Sequence, residues 1–353
     1  MSANDKVYSQ AKIGSIAGDI NYLALLSKYV GRHTLLLTFV VLVIIGTVTS
    51  EYFLTSANIS NLLRNIAVPA ILALGVSFVL LVSRIDLSVA SQMIFSPIVG
   101  VTAITVLAEL MDSSVLVRGN SFIGSSFALI LIALFTGGIV GCLNGIGVMY
   151  GRITSFIMTL AMMQGLRGMN YYLTGGHAYY LQKSTYTWMG TTELLGIPLS
   201  FIVYIVLSVV AGIALRYTLV GRRLYAIGGD ERSAALAGIN VRYWVIVAFT
   251  ICGVLAAIAG ILFTSRLQSV DAPLGLGYEL NAIAFAVIGG VSLAGGKGSP
   301  YRVFLGALVI TTLLNILTLW GFGSWYQNLA MGVVIISMIA LDQLIHRKSN
   351  NEL

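Results

Sequence analysis

Charged residues are scarce in this sequence. Asp, Glu, Lys and Arg make up 9% of the 353 residues, whereas soluble domains carry about 25%. Hydrophobic residues reach 58%, and the mean hydropathy is +0.92. This composition excludes an ordinary globular enzyme, a disordered tail and a nucleic-acid-binding module. It indicates a membrane protein with many spans.

The sequence also lacks the motifs of an enzyme working inside a membrane. No His-Glu-x-x-His, Gly-x-Ser-x-Gly or paired-cysteine motif occurs, and the glycine-rich segment 289–298 has the wrong spacing for a P-loop. Cys142 and Cys252 lie in apolar stretches, where we expect small buried hydrophobes rather than a disulfide or a metal pair. We therefore expect no catalytic residue, metal or cofactor, so the energy for uphill transport must come from another chain.

Acidic residues are missing from the centres of the predicted spans. The acids near the spans, all at their ends, are Asp86, Glu109, Asp112, Glu279 and Asp342. A proton- or sodium-coupled carrier normally has a carboxylate in the membrane, although unwound backbone carbonyls can bind sodium instead. A stand-alone ion-coupled carrier of a small polar solute therefore stays open as an alternative function, with a passive channel as a third.

Apolar runs predict an all-α, polytopic transmembrane bundle of about ten spans. They lie near 33–50, 65–82, 88–110, 122–149, 153–173, 196–216, 243–264, 279–295, 302–320 and 323–342. An even count puts both termini on one side. If that side is the cytoplasm, the basic residues left outside, among 20 in total, are Arg64, Arg118, Arg167, Lys183 and Arg266. This bias follows the positive-inside rule.

The predicted organisation has three parts. A cytoplasmic N-terminal segment covers 1–32, a transmembrane permease domain covers 33–345, and a cytoplasmic tail covers 346–353. In the fourth span Gly137, Gly141 and Gly145 recur every four residues, a spacing that lets two helix backbones approach closely.

The largest predicted outer loop, about 172–195, is rich in aromatic side chains. An aromatic belt at the membrane surface explains this composition. A docking or entry surface for a polar ligand or its carrier is the alternative.

The longest predicted inner loop, 216–242, contains a helix signal. Asp230 is a good N-cap, residues 234–237 favour a helix, and Gly238 fits a C-terminal stop. A helix of about two turns is unstable alone in water, so it needs a surface to pack against. From the chain alone, a connector lying on the headgroups and a knob inserted into a soluble partner are equally good interpretations.

Several short segments together resemble the permease subunits of bacterial ABC importers for monosaccharides such as ribose, xylose, arabinose and galactose. The segments are the loop 226–241, Asp86-Leu87-Ser88-Val89, Leu143-Asn144-Gly145, 154–160 followed by Arg167-Gly168, 278–284 and 287–296. They run in family order over about residues 60–345, which is most of the chain.

The resemblance implies a multi-pass protein of the bacterial inner membrane that forms the translocation path of an ATP-driven importer. Its partners would be an ATPase subunit with tandem nucleotide-binding domains, an extracytoplasmic sugar-binding protein, a second permease subunit (identical or a paralogue) and membrane lipid, but no nucleic acid. The implied ATPase-coupling residues are Gly228, Gly229, Asp230, Glu231, Ala234, Ala235, Ala237 and Gly238.

Two Gly- or Ser-marked segments, 83–90 and 289–298, fall in different halves of the chain, as broken helices bordering a translocation path do. Simple interhelical turns are the alternative. The path candidates are Asp86, Ser88, Asn144, Gln164, Arg167, Asn281, Gly289, Gly290, Ser292 and Asn315. For each amide, a bond that holds two helices together is the competing interpretation.

The first of these segments departs from the family pattern. The family usually has Gly-Gly-Ile-Asp-Leu-Ser-Val-Gly, whereas Ser83, Arg84 and Ala90 replace its glycines here. Glycine tolerates backbone conformations that other residues rarely adopt. The sequence alone therefore leaves open whether this break takes the same tight backbone.

Overall fold

The computed structural model describes residues 34–110, 122–181, 186–334 and 336–337. The helices are α1 Thr34–Thr49, α2 Ser56–Leu81, α3 Val89–Leu110, α4 Phe122–Met149, α5 Ser155–Thr174, α6 Trp188–Thr191, α7 Leu199–Tyr217, α8 Leu219–Gly229, α9 Glu231–Leu236, α10 Val241–Leu267, α11 Tyr278–Ile288, α12 Pro300–Leu319 and α13 324–334. The predicted terminal segments 1–32 and 346–353 lie outside the described residues.

In the part of the chain that the structure describes, four two-residue strands lie in the connections between helices. β1 Tyr179–Tyr180 pairs antiparallel with β4 Ser269–Val270. β2 Glu193–Leu194 and β3 Ile197–Pro198 form a small hairpin. Both pairs belong to the predicted outer side of the protein.

Six described helices are long and apolar enough to cross a membrane, namely α2, α3, α4, α7, α10 and α12. α1 and α11 are shorter apolar helices, and α5 and α13 coincide with the other predicted runs. The prediction of an all-α polytopic bundle is therefore confirmed at the level of fold class.

Helices α2 and α10 form the centre of the bundle. In their most apolar windows 72% and 67% of the residues are buried, against 33% in α4 and 22% in α7. Side chains such as Phe135 and Val209 on α4 and α7 are exposed although they are large and apolar. In a bilayer such faces contact lipid or another subunit, so burial distinguishes the core from the periphery here.

The predicted glycine stripe lies where α4 packs against α10. A Cβ on Gly137 or Gly141 would overlap the carbonyl oxygen of Gly253 or Phe249, respectively. One turn further on, a Cβ on Gly145 would lie 2.7 Å from the Cα of Ile246. The two backbones therefore touch at three points over about two turns, and the predicted close approach of two helices at this spacing is confirmed.

Two irregular segments enter the bundle from opposite ends. Residues 82–88 connect α2 to α3, and residues 268–277 connect α10 to α11. They converge at the start of α3, since a Cβ on Gly275 would lie 2.7 Å from the Cε of Met93. Non-helical backbone is tolerated at such depth only where protein or water satisfies it.

Side chains of α5 satisfy the first irregular segment. The backbone N–H of Ile85 donates to the Ser155 hydroxyl (3.3 Å), and that of Leu87 donates to the Thr159 hydroxyl (3.2 Å). The start of α5 therefore supplies hydrogen-bond partners for backbone groups that no helix satisfies.

Candidate coupling junction and translocation site

The predicted inner helix is present as α9. The Asp230 carboxylate caps it by accepting from the backbone N–H of Ser233 (2.6 Å), and this bond lowers the pKa of Asp230 below its ordinary value. Gly238, at φ +82°, ends the helix, and its N–H donates to the Ala235 carbonyl. The expected cap and stop are both confirmed. The loop also contains α8, which the sequence analysis missed.

The outer face of α9 is small, apolar and uncovered. Leu236 is 90% exposed, and Ala235, Ala237 and Gly238 are exposed beside it. Ala234 alone on this helix turns inward and is buried. An apolar side chain held out at a helix end is unfavourable in water and favourable in a pocket of another protein.

Three segments meet at the base of α9, and we call their meeting point the coupling junction. They are the last residue of α2 with the residues after it (81–84), the end of α8 with the start of α9 (228–231), and the glycine-rich loop (294–296). The N–H of Gly296 donates to the carbonyl of Leu81 (3.0 Å). A Cβ on Gly228 would overlap that same carbonyl. Glycine is therefore required at 228 for the three backbones to approach one another.

Ser83 and Arg84, which replace family glycines, each make a side-chain contact in the coupling junction. Ser83 adopts a left-handed backbone at φ +57°, and its hydroxyl donates to the Ala294 carbonyl (2.7 Å). The Arg84 guanidinium donates to a carboxylate oxygen of Glu231 at 2.7 Å. The break thus keeps a glycine-like turn despite the substitution, and it gains an ion pair to α9.

Further along the same break, polar groups cluster inside the bundle. One oxygen of Asp86 accepts from the backbone N–H (2.8 Å) and hydroxyl (2.6 Å) of Ser88, and the Asn144 amide donates to that hydroxyl (2.9 Å). All three residues are fully buried. The other Asp86 oxygen and the Asn144 carbonyl oxygen have no hydrogen-bond partner among the described residues. Buried polar atoms without partners are costly and mark functional or hydrated sites.

The depth of this cluster corrects one expectation. Asp86 lies beside Cys252, near the middle of α10, which at 27 residues is about 40 Å long. From the sequence, Asp86 was expected at an inner span end, but the non-helical segment 82–88 carries it inward. A carboxylate therefore does lie deep in the bundle. The argument that an ion-coupled carrier would need such a carboxylate no longer speaks against that alternative.

A second polar group joins α5 to the start of α11. The Arg167 guanidinium donates to the Glu279 carboxylate at 3.0 Å, and the other Glu279 oxygen is buried without a described partner. Arg167 also borders a small cavity together with Ser91 and Asn170, which carry unpartnered polar atoms as well. Glu279 lies in the first turn of α11 and is buried, so this helix begins inside the bundle.

The remaining path candidates are spread over the structure. Gly289, Gly290 and Ser292 form the turn that leads from α11 into the coupling junction, and Gly290 has φ +79°. Asn281 is half-buried on α11, and Gln164 is exposed on α5. The path role of these five residues stays a prediction.

Asn315 lies apart from the other path candidates. Its amide exchanges two hydrogen bonds with Asn58 of α2, at 3.1 and 2.9 Å. This reciprocal pair joins α12 to the first turns of α2, which favours the competing interpretation of a helix-joining amide.

The second irregular segment, 268–277, was not predicted from the sequence, and neither were Ser91 and Asn170, which line the small cavity with it. Pro273, Gly275 and Gly277 within ten residues were an available signal, because such residues interrupt helices. The partnership of Arg84 with Glu231 could not be found this way, since it joins positions far apart in the chain. Within the described ranges, no group of three or more His, Cys, Asp or Glu is placed to hold a metal ion.

Interrupted helices, a buried cluster of polar groups and an exposed short helix at one end of an apolar bundle are features of a transport permease. Residues 58–339 match the family described as the permease component of the branched-chain amino acid transport system, and the chain belongs to that family. The matched region covers both irregular segments and the coupling junction.

Individual relatives carry sugar-transport names. The ribose import permease protein of Escherichia coli K12 is 36% identical over 311 residues, covering 87% of this chain and 92% of the relative. The D-allose transport system permease protein of the same organism is 32% identical over 327 residues (93% and 95%). The L-arabinose ABC transporter permease protein of Azospirillum brasilense is 32% identical over 316 residues (90% and 88%). No solved structure matches this chain.

These relatives support an ABC permease subunit over a stand-alone carrier. Their names describe transport components rather than enzymes, and the apolar helices of this chain agree with a multi-pass membrane protein.

Proposed function

We propose that this chain is the membrane permease of an ATP-driven importer of monosaccharides in the bacterial inner membrane. The relatives that are named for a substrate carry ribose, allose or arabinose in their names, and the alignments include both irregular segments. In this proposal the bundle has about ten spans, both termini face the cytoplasm, and α8 and α9 lie on the cytoplasmic side. The basic residues of that loop agree with this orientation.

The observation that carries the proposal is the exposed α9 seated on the coupling junction. A partner ATPase can bias the bundle only through contacts that differ between its own states. A movement of α9 would be transmitted by Arg84 to the start of the first irregular segment and by Gly228 to the glycine-rich loop. The first irregular segment runs from the coupling junction to the buried cluster of Asp86, Ser88 and Asn144, so movement at the junction could reach the proposed path along this stretch of chain.

Docking is tested by changing the exposed face of α9. We expect Ala235→Arg to abolish co-purification of the ATPase subunit and ATP-driven uptake of ribose, because a long cation cannot enter a pocket shaped for a small apolar side chain. Ala235→Ser at the same position should retain both, since it adds only one small polar atom. Normal ATPase retention with Ala235→Arg would contradict the docking role of α9.

The path is tested at the ion pair between α5 and α11. We expect Arg167→Ala to reduce the uptake rate at least tenfold while the ATPase subunit stays bound, because Arg167 borders the polar cavity and is remote from α9. A variant with both Arg167→Gln and Glu279→Gln controls for the unpaired acid that the single change leaves in the bundle. Uptake at the normal rate in both variants would return this pair to a purely structural role.

The remaining partners follow from the same proposal. An extracytoplasmic sugar-binding protein would deliver cargo to the outer loops, and a second permease subunit would complete the path. Because delivery is the task of the binding protein, the permease needs only neutral, replaceable polar contacts of the kind seen at Ser88, Asn144 and Asn170.

A further inference from the structure

A groove of about 840 Å³ opens at the ends of α7, α8 and α12 nearest the coupling junction. Its apolar walls come from Val209 and Ile213 on α7 and from Phe304 on α12. At its end lie two cations, Arg216 and Arg222. The groove is separate from the polar path, since it lies on the outer surface of the bundle.

No described part of the chain covers the apolar walls. Val209 and Ile213 are 56% and 52% exposed. Because α7 is long and apolar enough to span the membrane, these two side chains would face the lipid or a neighbouring subunit. An acyl chain fits such a wall without loss of hydrogen bonds.

The two arginines are available for an anion. Arg216 and Arg222 are both exposed, and neither takes part in an ion pair among the described residues. Arg216 does lie over the Tyr217 ring, 5.4 Å from its centroid. By contrast, Arg223 turns away from the groove and lies over the Trp244 ring at 5.0 Å.

The start of α12 adds to the positive potential. Ser299 and Pro300 line the groove, and the Ser299 hydroxyl does not cap the helix that follows it. A helix N-terminus carries a partial positive charge, and a free hydroxyl can donate to a phosphate oxygen. The polar end of the groove is therefore suited to an anion and its apolar walls to a hydrocarbon chain.

We propose that this groove binds one anionic phospholipid, with its phosphate at Arg216, Arg222 and Ser299 and an acyl chain along α7. Basic pockets between helices on the cytoplasmic side of a membrane are suited to such headgroups. The inference rests on the proposed function only for the side of the membrane. A free phosphate would leave the apolar walls uncovered, and the two unpaired arginines favour a lipid over a second copy of this chain.

The test is native mass spectrometry of the full-length permease, titrated with phosphatidylglycerol or phosphatidylcholine. We expect one phosphatidylglycerol to bind more tightly than phosphatidylcholine. Changing both cations (Arg216→Gln with Arg222→Gln) should weaken phosphatidylglycerol binding about 30-fold and leave phosphatidylcholine unchanged. Arg232→Gln, an exposed arginine on the same side but outside the groove, is the matched control and should have no effect.

A second variant fills the groove without changing its charge. A Cβ on Gly212 meets nothing within 4 Å, so Gly212→Phe should fold and should displace the bound lipid. Gly332→Phe, at a glycine with equally open surroundings, is its control.

Three results would overturn the proposal. The first is unchanged phosphatidylglycerol binding in either groove variant. The second is full competition by inorganic phosphate, which would make the groove a simple anion site. The third is loss of a permease dimer in the groove variants, which would assign this face to a second copy. Because the readout uses the permease alone, without sugar or ATPase, a failure of the importer proposal would not imitate any of them.

Discussion

At the scale of single residues, two replacements of family glycines illustrate how a chain compensates. A left-handed backbone costs a non-glycine residue roughly 1–2 kcal/mol. Ser83 accepts that cost at φ +57° and gains a hydrogen bond to Ala294, worth about 1 kcal/mol. Arg84 adds the ion pair to Glu231. The departure from the family pattern therefore changes how the junction is held together but preserves its shape.

The first prediction concerns this ion pair. We expect Arg84→Glu and Glu231→Arg each to lower uptake per ATP hydrolysed by about twofold to fivefold, as a partly exposed pair is worth at most about 1 kcal/mol. The double exchange should recover most of the loss, since the pair is restored in reverse. The measurement is uptake and hydrolysis in proteoliposomes containing the complete transporter.

Recovery in the double variant is the diagnostic result. If the two changes add without recovery, Arg84 and Glu231 act independently and the ion pair does not transmit movement. Retention of the ATPase in all three variants separates this effect from loss of docking.

At the scale of elements, the sequence predicted helices well and irregular segments poorly. Continuous apolar runs fixed α4 and α10 nearly to their ends, because burial in a membrane requires every backbone group to be satisfied within the helix. The same logic made 279–295 look like one span, whereas α11 ends at Ile288 and the chain turns at Gly290. Short glycine-interrupted stretches satisfy their backbone through distant partners, and the local sequence does not show those partners.

The second prediction concerns the contact of α4 with α10. We expect Gly141→Ala to lower the melting temperature in detergent by several degrees, because its new Cβ would overlap the carbonyl of Phe249. Gly138→Ala on the same helix should leave the melting temperature unchanged or raise it. Its Cβ would make an ordinary 3.4 Å contact with Val254, and alanine favours a helix more than glycine does. Equal melting temperatures for the two variants would show that the backbones are not in close contact.

At the scale of the whole molecule, the sequence predicted the class of protein and the presence of the short helix α9, but not how the polar groups are arranged. Asp86, Ser88 and Asn144 were singled out from the sequence, and the structure brings them together; their role in the path stays a prediction. Arg167 was singled out without its partner Glu279, and Asn315 was grouped with residues from which it is far removed. Spacing along one helix is readable from sequence, whereas contacts between helices depend on packing.

The last prediction concerns the source of energy. We expect the permease alone in proteoliposomes to accumulate no ribose against a gradient, with or without a proton or sodium gradient. Adding the ATPase subunit, the sugar-binding protein and ATP should produce accumulation. Gradient-driven accumulation by the permease alone would instead support the stand-alone carrier.

In the proposed importer, the backbone contact between α4 and α10 would limit how the protein switches between inward- and outward-open forms. Two helices in backbone contact at three glycines, over about two turns, have little room to slide or tilt against each other and should move as one rigid unit. Movement between the two forms would then occur in the non-helical segments 82–88 and 268–277. Glycine thus serves two purposes in this protein. At Gly228 it lets the segments of the coupling junction approach one another, and at Gly137 and Gly141 it lets α4 and α10 pack in rigid contact.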